Sequence, residues 1–203
     1  MTEREKPVPA QTEPESVDPD ADAIRRVRSG DASAYGEIVE RHEPALRALV
    51  TGILADRQVA EDVVQDVFLI GYRNLDGFRG EAKLSTWLTR IAIREATRAR
   101  TRLRKLLRRL APLEEARTPS PKSHTRAAEA RDEALSLLAR LSSIERTAFV
   151  LHVVESRSYQ EIAEILGIPI GTVGSHISRA RARLREHASR AEGALGALPE
   201  GRM

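Results

Sequence analysis

The sequence predicts an all-α fold made of two small helical domains. Aromatic residues make up only 3% of the 203 residues, so a core must be built mainly from Leu, Ile, Val and Ala. That composition favours helices, because β-rich domains usually draw on aromatic and β-branched side chains. Apolar residues also recur at three- and four-residue spacing, as on the buried face of a helix. Residues 111–130, which contain three prolines, separate two such regions and are typical of a flexible linker.

The predicted organisation has five parts along the chain. Residues 1–20 are expected to form a disordered acidic tail, because they lack the apolar content that would offset the entropy of ordering. A helical domain over residues 21–110 comes next, followed by the linker. A second helical domain over residues 131–190 and a disordered tail over residues 191–203 complete the chain.

The first domain is expected to contain three long helices. Asp31 can cap the first of them, in which Pro44 predicts a kink or a break near His42. Asp56 opens the second helix, and the third begins near Ser85 and runs into an arginine-rich stretch. The apolar positions of the second helix have the spacing of a buried face. They are Ala60, Val63, Val64, Val67 and Phe68.

The second domain contains two capping boxes and a turn. In SSIE (142–145) and SYQE (158–161), the first Ser can cap backbone N–H groups while the Glu three residues later reaches back. Gly167 suits a left-handed helix cap, and Pro169 prevents helix from continuing through the turn. The following helix has an apolar stripe of Val173, Ile177, Ala180 and Leu184. This pattern predicts a helix–turn–helix.

Basic residues are concentrated in residues 98–109 and 179–185, although the net charge is only +3. For either stretch alone, a solvated helix end is the preferred interpretation. Together with the helix–turn–helix, two basic stretches favour DNA as the partner. Small polar residues at the start of the second helix, with arginines behind them, suit entry into a major groove. The residues expected to contact duplex DNA are Thr172, Ser175, His176, Ser178, Arg179 and Arg183, with Gly174 also on the outward side.

Two parts of the chain resemble a known family. AEDVVQDVFLIGYRNLDGFRGEAKLSTWLTRIA (60–92) resembles region 2 of bacterial sigma factors of the extracytoplasmic-function (ECF) group. LSSIERTAFVLHVVE (141–155) and SYQEIAEILGIPIGTV (158–173) resemble region 4 of the same group. The resemblance covers roughly residues 24–108 and 131–187. It implies a protein that binds core RNA polymerase, recognises −35 and −10 promoter elements and promotes transcription initiation.

The resemblance also implies where each partner binds. The helix of residues 56–74 is expected to meet the clamp helices of the polymerase β′ subunit, and the β subunit is a further expected partner. The polymerase-binding residues are Asp62, Gln65, Asp66 and Leu69. The non-template strand of the −10 element is expected at the loop 75–83 and the helix 84–100. Its contacts are Phe78, Lys83, Arg90, Arg94, Arg98 and Arg100, most of which supply the cations that single-stranded DNA requires.

Two positions depart from the family pattern. Ile93-Arg94-Glu95 stands where the family commonly has Asn, and Gly174 stands where a basic residue commonly follows the GTV motif. Glycine brings no side chain to a groove and weakens a helix. Trp87 is expected to belong to the core rather than to a base-stacking platform, because it shares a helical spacing with Leu84 and Ile91.

A stand-alone helix–turn–helix regulator is the alternative function, since region 4 resembles the output domains of many regulators. Enzyme function is disfavoured: the five histidines are scattered, cysteine is absent, and no phosphate-loop motif occurs. No catalytic residue, metal site or cofactor is therefore predicted. The lack of a signal pattern or a long apolar run predicts a cytoplasmic, nucleoid-associated protein without membrane insertion. The family's usual control adds an anti-sigma factor to the expected partners.

Overall fold

The computed structural model describes residues 19–110 and 126–196. The helices are α1 (Pro19–Arg28), α2 (Tyr35–Leu54), α3 (Arg57–Arg73), α4 (Leu84–Leu110), α5 (Arg126–Ala139), α6 (Ser143–Val153), α7 (Tyr159–Leu166) and α8 (Ile170–Gly196). Short 3-10 turns precede α2 and follow α3. Because these described ranges contain helices and turns without strands, the all-α prediction is confirmed.

Helices α1 to α4 form the first helical unit around an aliphatic core. Helix α3 packs against both α2 and α4, and all five apolar residues predicted for its inner face are buried. Its start is fixed by Asp56, whose carboxylate accepts a hydrogen bond from the backbone N–H of Val59 at 3.1 Å. Burying one aliphatic side chain contributes about 1.5–3 kcal/mol, so this face is sufficient to hold α3 in place.

Helix α2 differs from the expectation at its proline. The chain is helical from Tyr35 to Leu54 without a break at Pro44. Proline removes one backbone hydrogen bond and leaves the carbonyl of Glu40 without its helical partner. Both Pro44 and Glu40 are exposed, so that carbonyl can bond to solvent and the helix continues. The predicted cap residue Asp31 acts on the preceding 3-10 turn, where it accepts from Ser33 N–H.

The first helix begins earlier than predicted. Pro19 and Asp20 were assigned to the tail by composition, but they form the first turn of α1. Asp20 is buried, and its carboxylate pairs with Arg41 and lies 2.9 Å from His42 Nε2. These contacts with α2 supply the stabilisation that apolar content does not. The remainder of the predicted tail, residues 1–18, lies outside the described residues.

Helices α5 to α8 form the second unit, and both of its capping boxes are confirmed. Ser142 and Ser158 accept from the backbone N–H of Glu145 and Glu161, and each glutamate accepts in return from the serine backbone. Hydrogen bonds from Ser158 and Arg157 lower the pKa of Glu161 to about 2. Gly167 adopts the predicted left-handed conformation at φ +65°.

The ends of the second unit extend beyond the predicted bounds. Helix α5 begins at Arg126, so residues 126–130 of the expected linker are helical; residues 111–125 lie outside the described residues. Helix α8 continues to Gly196, six residues into the expected tail, and residues 197–203 are again outside. Alanine is the commonest residue of the first extension (RAAEA) and occurs twice in the second (AEGALG), and its helix propensity favours prolonging an existing helix.

The two helical units pack against each other through α2 with α6 and α4 with α7. Ala148, Val150 and Leu151 of α6 are buried in one apolar cluster with residues of the first unit. The sequence predicts two helical units, and the contact between them becomes visible only in the structure.

Candidate nucleic-acid interface

One face of α3 is a polar and acidic strip. Asp62, Gln65, Asp66 and Leu69, which the sequence selects for polymerase binding, are all exposed, and their helix neighbours Val63 and Val67 are buried. The side chain of Leu69 is an apolar centre, 53% exposed. The structure therefore presents these four residues together on one accessible surface.

Tyr72 extends this strip, although it is not among the polymerase-binding residues predicted from the sequence. It lies three residues beyond Leu69, is 42% exposed, and stacks edge-on against Tyr35 with ring centroids 5.1 Å apart. Aromatic residues are enriched at protein–protein contacts. The three-residue spacing between Leu69 and Tyr72 places both on one helix face, and this spacing could have identified Tyr72 from the sequence.

A second surface is formed by the exposed side of α4. Arg94 and Arg98 both pair with Glu95, at 3.2 and 2.8 Å, while the Glu95 side chain itself is buried. One fixed carboxylate thus holds two exposed guanidinium groups on the same side of the helix. Glu95 was seen in the sequence only as a departure from the family pattern, and the structure shows that it orients the arginines.

The other basic residues predicted for this surface differ in their surroundings. Lys83 is exposed, and Arg90 is exposed but donates to the carbonyl of Glu164 in α7 at 3.2 Å. Arg100 points toward the second unit: its Nη1 is buried without a partner, and it lies close to Arg146 of α6. Burial and the charge of Arg104 lower the pKa of Arg100. Arg100 is therefore less accessible than Arg94 and Arg98.

The loop before α4 places an aromatic pair between two depressions. Phe78 and Trp87 are both half-buried, with ring centroids 5.4 Å apart. One depression of about 420 Å³ lies beside Ile70, Arg73, Asn74, Gly77, Trp87, Ile91 and Arg94. The other, of about 260 Å³, is lined by Gly77, Phe78, Arg79, Glu81, Ala82, Trp87 and Arg90. Trp87 thus has an accessible edge as well as the expected contact with the core.

Arg28 of α1 holds this loop in place, and no local sequence pattern indicates this role. Its guanidinium donates to the carbonyl of Leu75 at 2.8 Å and to that of Phe78 at 2.5 Å. Because Gly80 adopts φ +73°, the loop can turn sharply before entering α4. The position of the aromatic pair therefore depends on a residue about 50 positions away.

The third surface is the N-terminal half of α8. Val173, Ile177 and Ala180 are fully buried, as the stripe predicts. Among the residues predicted to contact duplex DNA, Ser175, Ser178, Arg179 and Arg183 are exposed, and Thr172 and His176 are half-buried. The helix is thus anchored on one side and presents hydroxyl and guanidinium groups on the other.

Glu145 organises this surface as Glu95 organises the one on α4. Its buried carboxylate pairs with Arg183 at 2.9 Å and lies 3.7 Å from Arg179. Burial raises the pKa of Glu145, but hydrogen bonds from Ser142 and the two arginines outweigh it, so the net pKa is lowered. Glu145 stays ionised and fixes both arginines. Because Glu145 is distant from both arginines in the sequence, no local sequence motif predicts these ion pairs.

Gly174 faces α7 rather than outward, which corrects the prediction. A Cβ atom built at this position lies 3.6 Å from the ring of Tyr159, an ordinary van der Waals distance. We expect Gly174→Ala to stabilise the protein by about 0.5–1 kcal/mol, because alanine favours the helix and fits the space. Thermal unfolding should show a Tm higher by roughly 2 °C. Gly167→Ala, at φ +65°, should lower the Tm; a lower Tm for Gly174→Ala would refute the fit.

The described residues form neither a metal site nor a membrane-spanning helix. Within residues 19–110 and 126–196, no three His, Asp or Glu side chains lie together as metal ligands would. In the same ranges, every helix is too short or too polar to cross a bilayer.

Comparison with known proteins matches both halves of the chain to one family. Residues 38–109 match the family description Sigma-70 region 2, and residues 131–184 match Sigma-70, region 4. The ECF RNA polymerase sigma-E factor of Haemophilus influenzae is 33% identical over 173 residues, covering 78% of this chain and 89% of the relative. The ECF RNA polymerase sigma factor SigW of Bacillus subtilis is 33% identical over 175 residues, covering 80% and 93%.

Two solved structures agree with these sequence relatives. CnrH, in complex with the cytosolic domain of CnrY, has a TM-score of 0.63 at 27% identity and covers 84% of this chain and 97% of its own. The sigma factor RpoE of Bartonella quintana, in complex with the anti-sigma factor NepR, has a TM-score of 0.58 at 28% identity, covering 75% and 94%. Because the first half matches region 2, a stand-alone regulator is not favoured. With both halves matched in order and the relatives covered nearly end to end, the chain belongs to the extracytoplasmic-function (ECF) family of RNA polymerase sigma factors.

Proposed function

We propose that this sigma factor binds core RNA polymerase through α3, holds the melted −10 strand on α4 and its preceding loop, and reads the −35 duplex with α8. One observation carries the proposal. The two units that match regions 2 and 4 each present an exposed basic surface organised by a buried glutamate. Catalysis of RNA synthesis belongs to the polymerase, so the sigma factor acts by binding alone.

The strip on α3 is suited to a protein partner. Asp62 and Asp66 are exposed carboxylates one helical turn apart, with Leu69 and Tyr72 adding apolar area beside them. An acidic strip with an apolar centre complements a basic helical partner, which is what the family resemblance assigns to the β′ clamp helices.

The surface on α4 is suited to single-stranded DNA. Lys83, Arg94 and Arg98 supply cations for the backbone, while the depressions on either side of Trp87 have room for unstacked bases. Phe78 packs against Trp87 and forms part of one depression. Arg100 lies at the edge of this surface, because it is partly buried and its Nη1 is shielded from solvent.

The surface on α8 is suited to a duplex. Ser175, Ser178 and Arg179 are exposed near the start of the helix, where a major-groove helix contacts base edges. Arg183, a turn further along, is placed to contact phosphate. We further propose that the protein acts in the cytoplasm at the nucleoid and is controlled by an anti-sigma factor, as RpoE of Bartonella quintana is bound by NepR.

The division of labour is tested with matched templates. On a fully paired promoter, Arg179→Ala should weaken binding of the polymerase complex by about 1–3 kcal/mol if its guanidinium makes a bidentate base contact. On a template with a pre-melted bubble, the same change should matter much less. Arg94→Ala with Arg98→Ala should instead reduce open-complex formation, measured by permanganate reactivity, and spare −35 protection in footprints. Equal defects of both variants on both templates would contradict the assignment.

A further inference from the structure

The last turns of α4 carry an apolar groove. Leu103 and Leu106 continue the buried stripe of Ala96 and Ala99 at spacings of four and three residues. The two alanines are covered by the first unit, whereas Leu103 is 38% exposed and Leu106 is 53% exposed. The groove has a volume of about 490 Å³, and within the described ranges Val59 of α3 is the lining residue outside α4. The apolar face of α4 therefore runs on beyond the helices that cover it.

Cations surround this groove. Its remaining lining residues are Arg102, Lys105 and Arg109, and all three are exposed. Within residues 19–110 and 126–196, none of the three forms an ion pair. A surface with an apolar centre and a cationic rim complements an acidic segment that has an apolar centre of its own. The same groove on a second copy of the chain is a poor partner, because it carries the same three cations.

The N-terminal segment, residues 1–18, has the charge that this groove requires. It holds five acids against two bases, counting Lys and Arg as the bases. The other stretches outside the described ranges lack this excess: residues 111–125 hold two acids and two bases, and residues 197–203 hold one of each. Charge complementarity therefore selects residues 1–18 among these segments of the chain. The five acids are Glu3, Glu5, Glu13, Glu15 and Asp18.

The order of residues within this segment also matches the groove. Glu3 and Glu5 precede the short apolar run PVPA (7–10), and Glu13 and Glu15 follow it. An apolar centre thus lies between two acidic pairs, just as the leucines of the groove lie among its three cations. Each of the two prolines in the run fixes a backbone dihedral, which lowers the entropy lost when the run is held in one conformation.

The segment is attached close enough to reach the groove. The first turn of α1 is held against Arg41 and His42 of α2. From His42 to the end of α2 is about 18 Å at 1.5 Å per residue. The groove lies beside Val59, five residues after that end. The run PVPA begins twelve residues before Pro19 and ends nine residues before it, so it can reach at least about 30 Å from α1 when extended.

Tethering makes a weak contact sufficient. A short flexible connection gives an effective concentration of about 1 mM, so a contact with a Kd of about 0.1 mM would be occupied for about nine-tenths of the time.

From this match we propose that residues 1–18 dock in the groove at the end of α4, with PVPA over Leu103 and Leu106 and the flanking glutamates on the three cations. The docked segment covers the exposed leucines and stabilises the last turns of α4. A protein partner can use this surface only after it displaces the segment. Docking needs neither polymerase nor DNA, so it stands apart from the proposed function.

Photo-cross-linking of the full chain tests the contact. Replacing Gln11, which is uncharged and follows PVPA directly, by p-benzoylphenylalanine puts a photoreactive group next to the docked run. Irradiation of dilute protein should attach it within the same chain to residues 99–109 or to Val59, as mapped by mass spectrometry. Neutralising the four flanking glutamates should lower the yield at least fivefold. The neutralised variant carries Glu3→Gln, Glu5→Gln, Glu13→Gln and Glu15→Gln.

A variant with the same charge change elsewhere is the matched control. Four exposed acids on α2 and α5 are neutralised, and the cross-linking yield should stay within twofold of that without these four changes. In the opposite direction, Lys105→Glu with Arg109→Glu should lower the yield at least fivefold. Adding Glu13→Lys with Glu15→Lys to that variant should restore at least half of the yield. The control substitutions are Glu40→Gln, Glu129→Gln, Asp132→Asn and Glu133→Gln.

Hydrogen exchange measures the effect on the helix. Backbone amides of residues 103–109 should exchange at least threefold faster in the neutralised variant than in the matched control. Equal cross-linking yields for these two variants would overturn the docking, as would cross-links spread over the whole surface or formed to a second copy. Equal exchange rates together with a specific cross-link would overturn the stabilisation of α4.

Discussion

Reversing two charges on α3, Asp62→Arg with Asp66→Arg, is expected to weaken binding to core RNA polymerase by about 100-fold or more. Both carboxylates are exposed on the strip that includes Leu69, so the fold does not depend on them. Against a basic partner, each substitution removes an attraction and adds a like-charge repulsion, and charge pairs at interfaces commonly contribute about 2 kcal/mol or more. A fluorescence titration of labelled chain with core polymerase measures the loss.

Helix α5 offers a matched control for this change. Glu129 and Glu133 are exposed, four residues apart, and lie on a helix without a buried residue. Glu129→Arg with Glu133→Arg changes net charge by the same amount at the same spacing. It should leave polymerase affinity within about threefold, apart from the screened long-range effect. Equal losses for the two pairs would show that overall charge, and not the α3 strip, governs binding.

Arg146→Met is expected to lower the free energy of unfolding by about 3 kcal/mol or more. Methionine keeps much of the side-chain volume but donates no hydrogen bond, so four carbonyls at the ends of α2 and α5 lose their partner. An unsatisfied buried polar group costs about 1–3 kcal/mol. Methionine also relieves repulsion with Arg100, which offsets part of that cost. Urea unfolding measures the net result, and the Tm should fall by roughly 6–12 °C.

Arg140→Met is the control that separates the loss of the Arg146 hydrogen bonds from the effect of removing any arginine side chain. Arg140 is exposed and lies six residues earlier in the chain, so its substitution should change stability by less than about 0.5 kcal/mol. Arg146→Lys should fall between the two, since one ammonium group cannot reach both helix ends as a fork does. Unchanged stability of Arg146→Met would mean that the hydrogen bonds of Arg146 to the ends of α2 and α5 contribute nothing to the folded state.

Much of the local structure could be predicted from sequence because its causes are local. The α3 face follows from the three- and four-residue spacing of Val63, Val64 and Val67, and the α6 and α7 starts follow from Ser and Glu three residues apart. The conformation of Gly167 follows from its place after an apolar run. These signals lie within one turn of the helix start or helix face that they determine. Both interacting residues therefore fall within one short sequence motif.

The contacts that arrange the sites could not be predicted in the same way, because their partners are distant in the chain. Arg146 bonds to Ile53 across 93 positions, and Arg183 reaches Glu145 across 38. A buried arginine in an amphipathic helix looks in sequence like one more surface charge. The surroundings of Arg100 are an example: its spacing resembles that of Arg94 and Arg98, but its Nη1 is buried and its charge acts on Arg146 of α6.

Promoter selection by this sigma factor can be measured by transcription with core polymerase from a pool of templates randomised over the −35 and −10 windows. The reaction is run with and without the full chain, and the transcripts are sequenced. The account predicts that adding the chain enriches transcripts from templates with a two-part motif at these positions, and that the chain alone yields no transcript. Arg179→Ala should weaken the sequence preference in the −35 part of the motif. Arg94→Ala with Arg98→Ala should lower the yield of open complexes. A pool of transcripts indistinguishable from that of core polymerase alone would contradict the account.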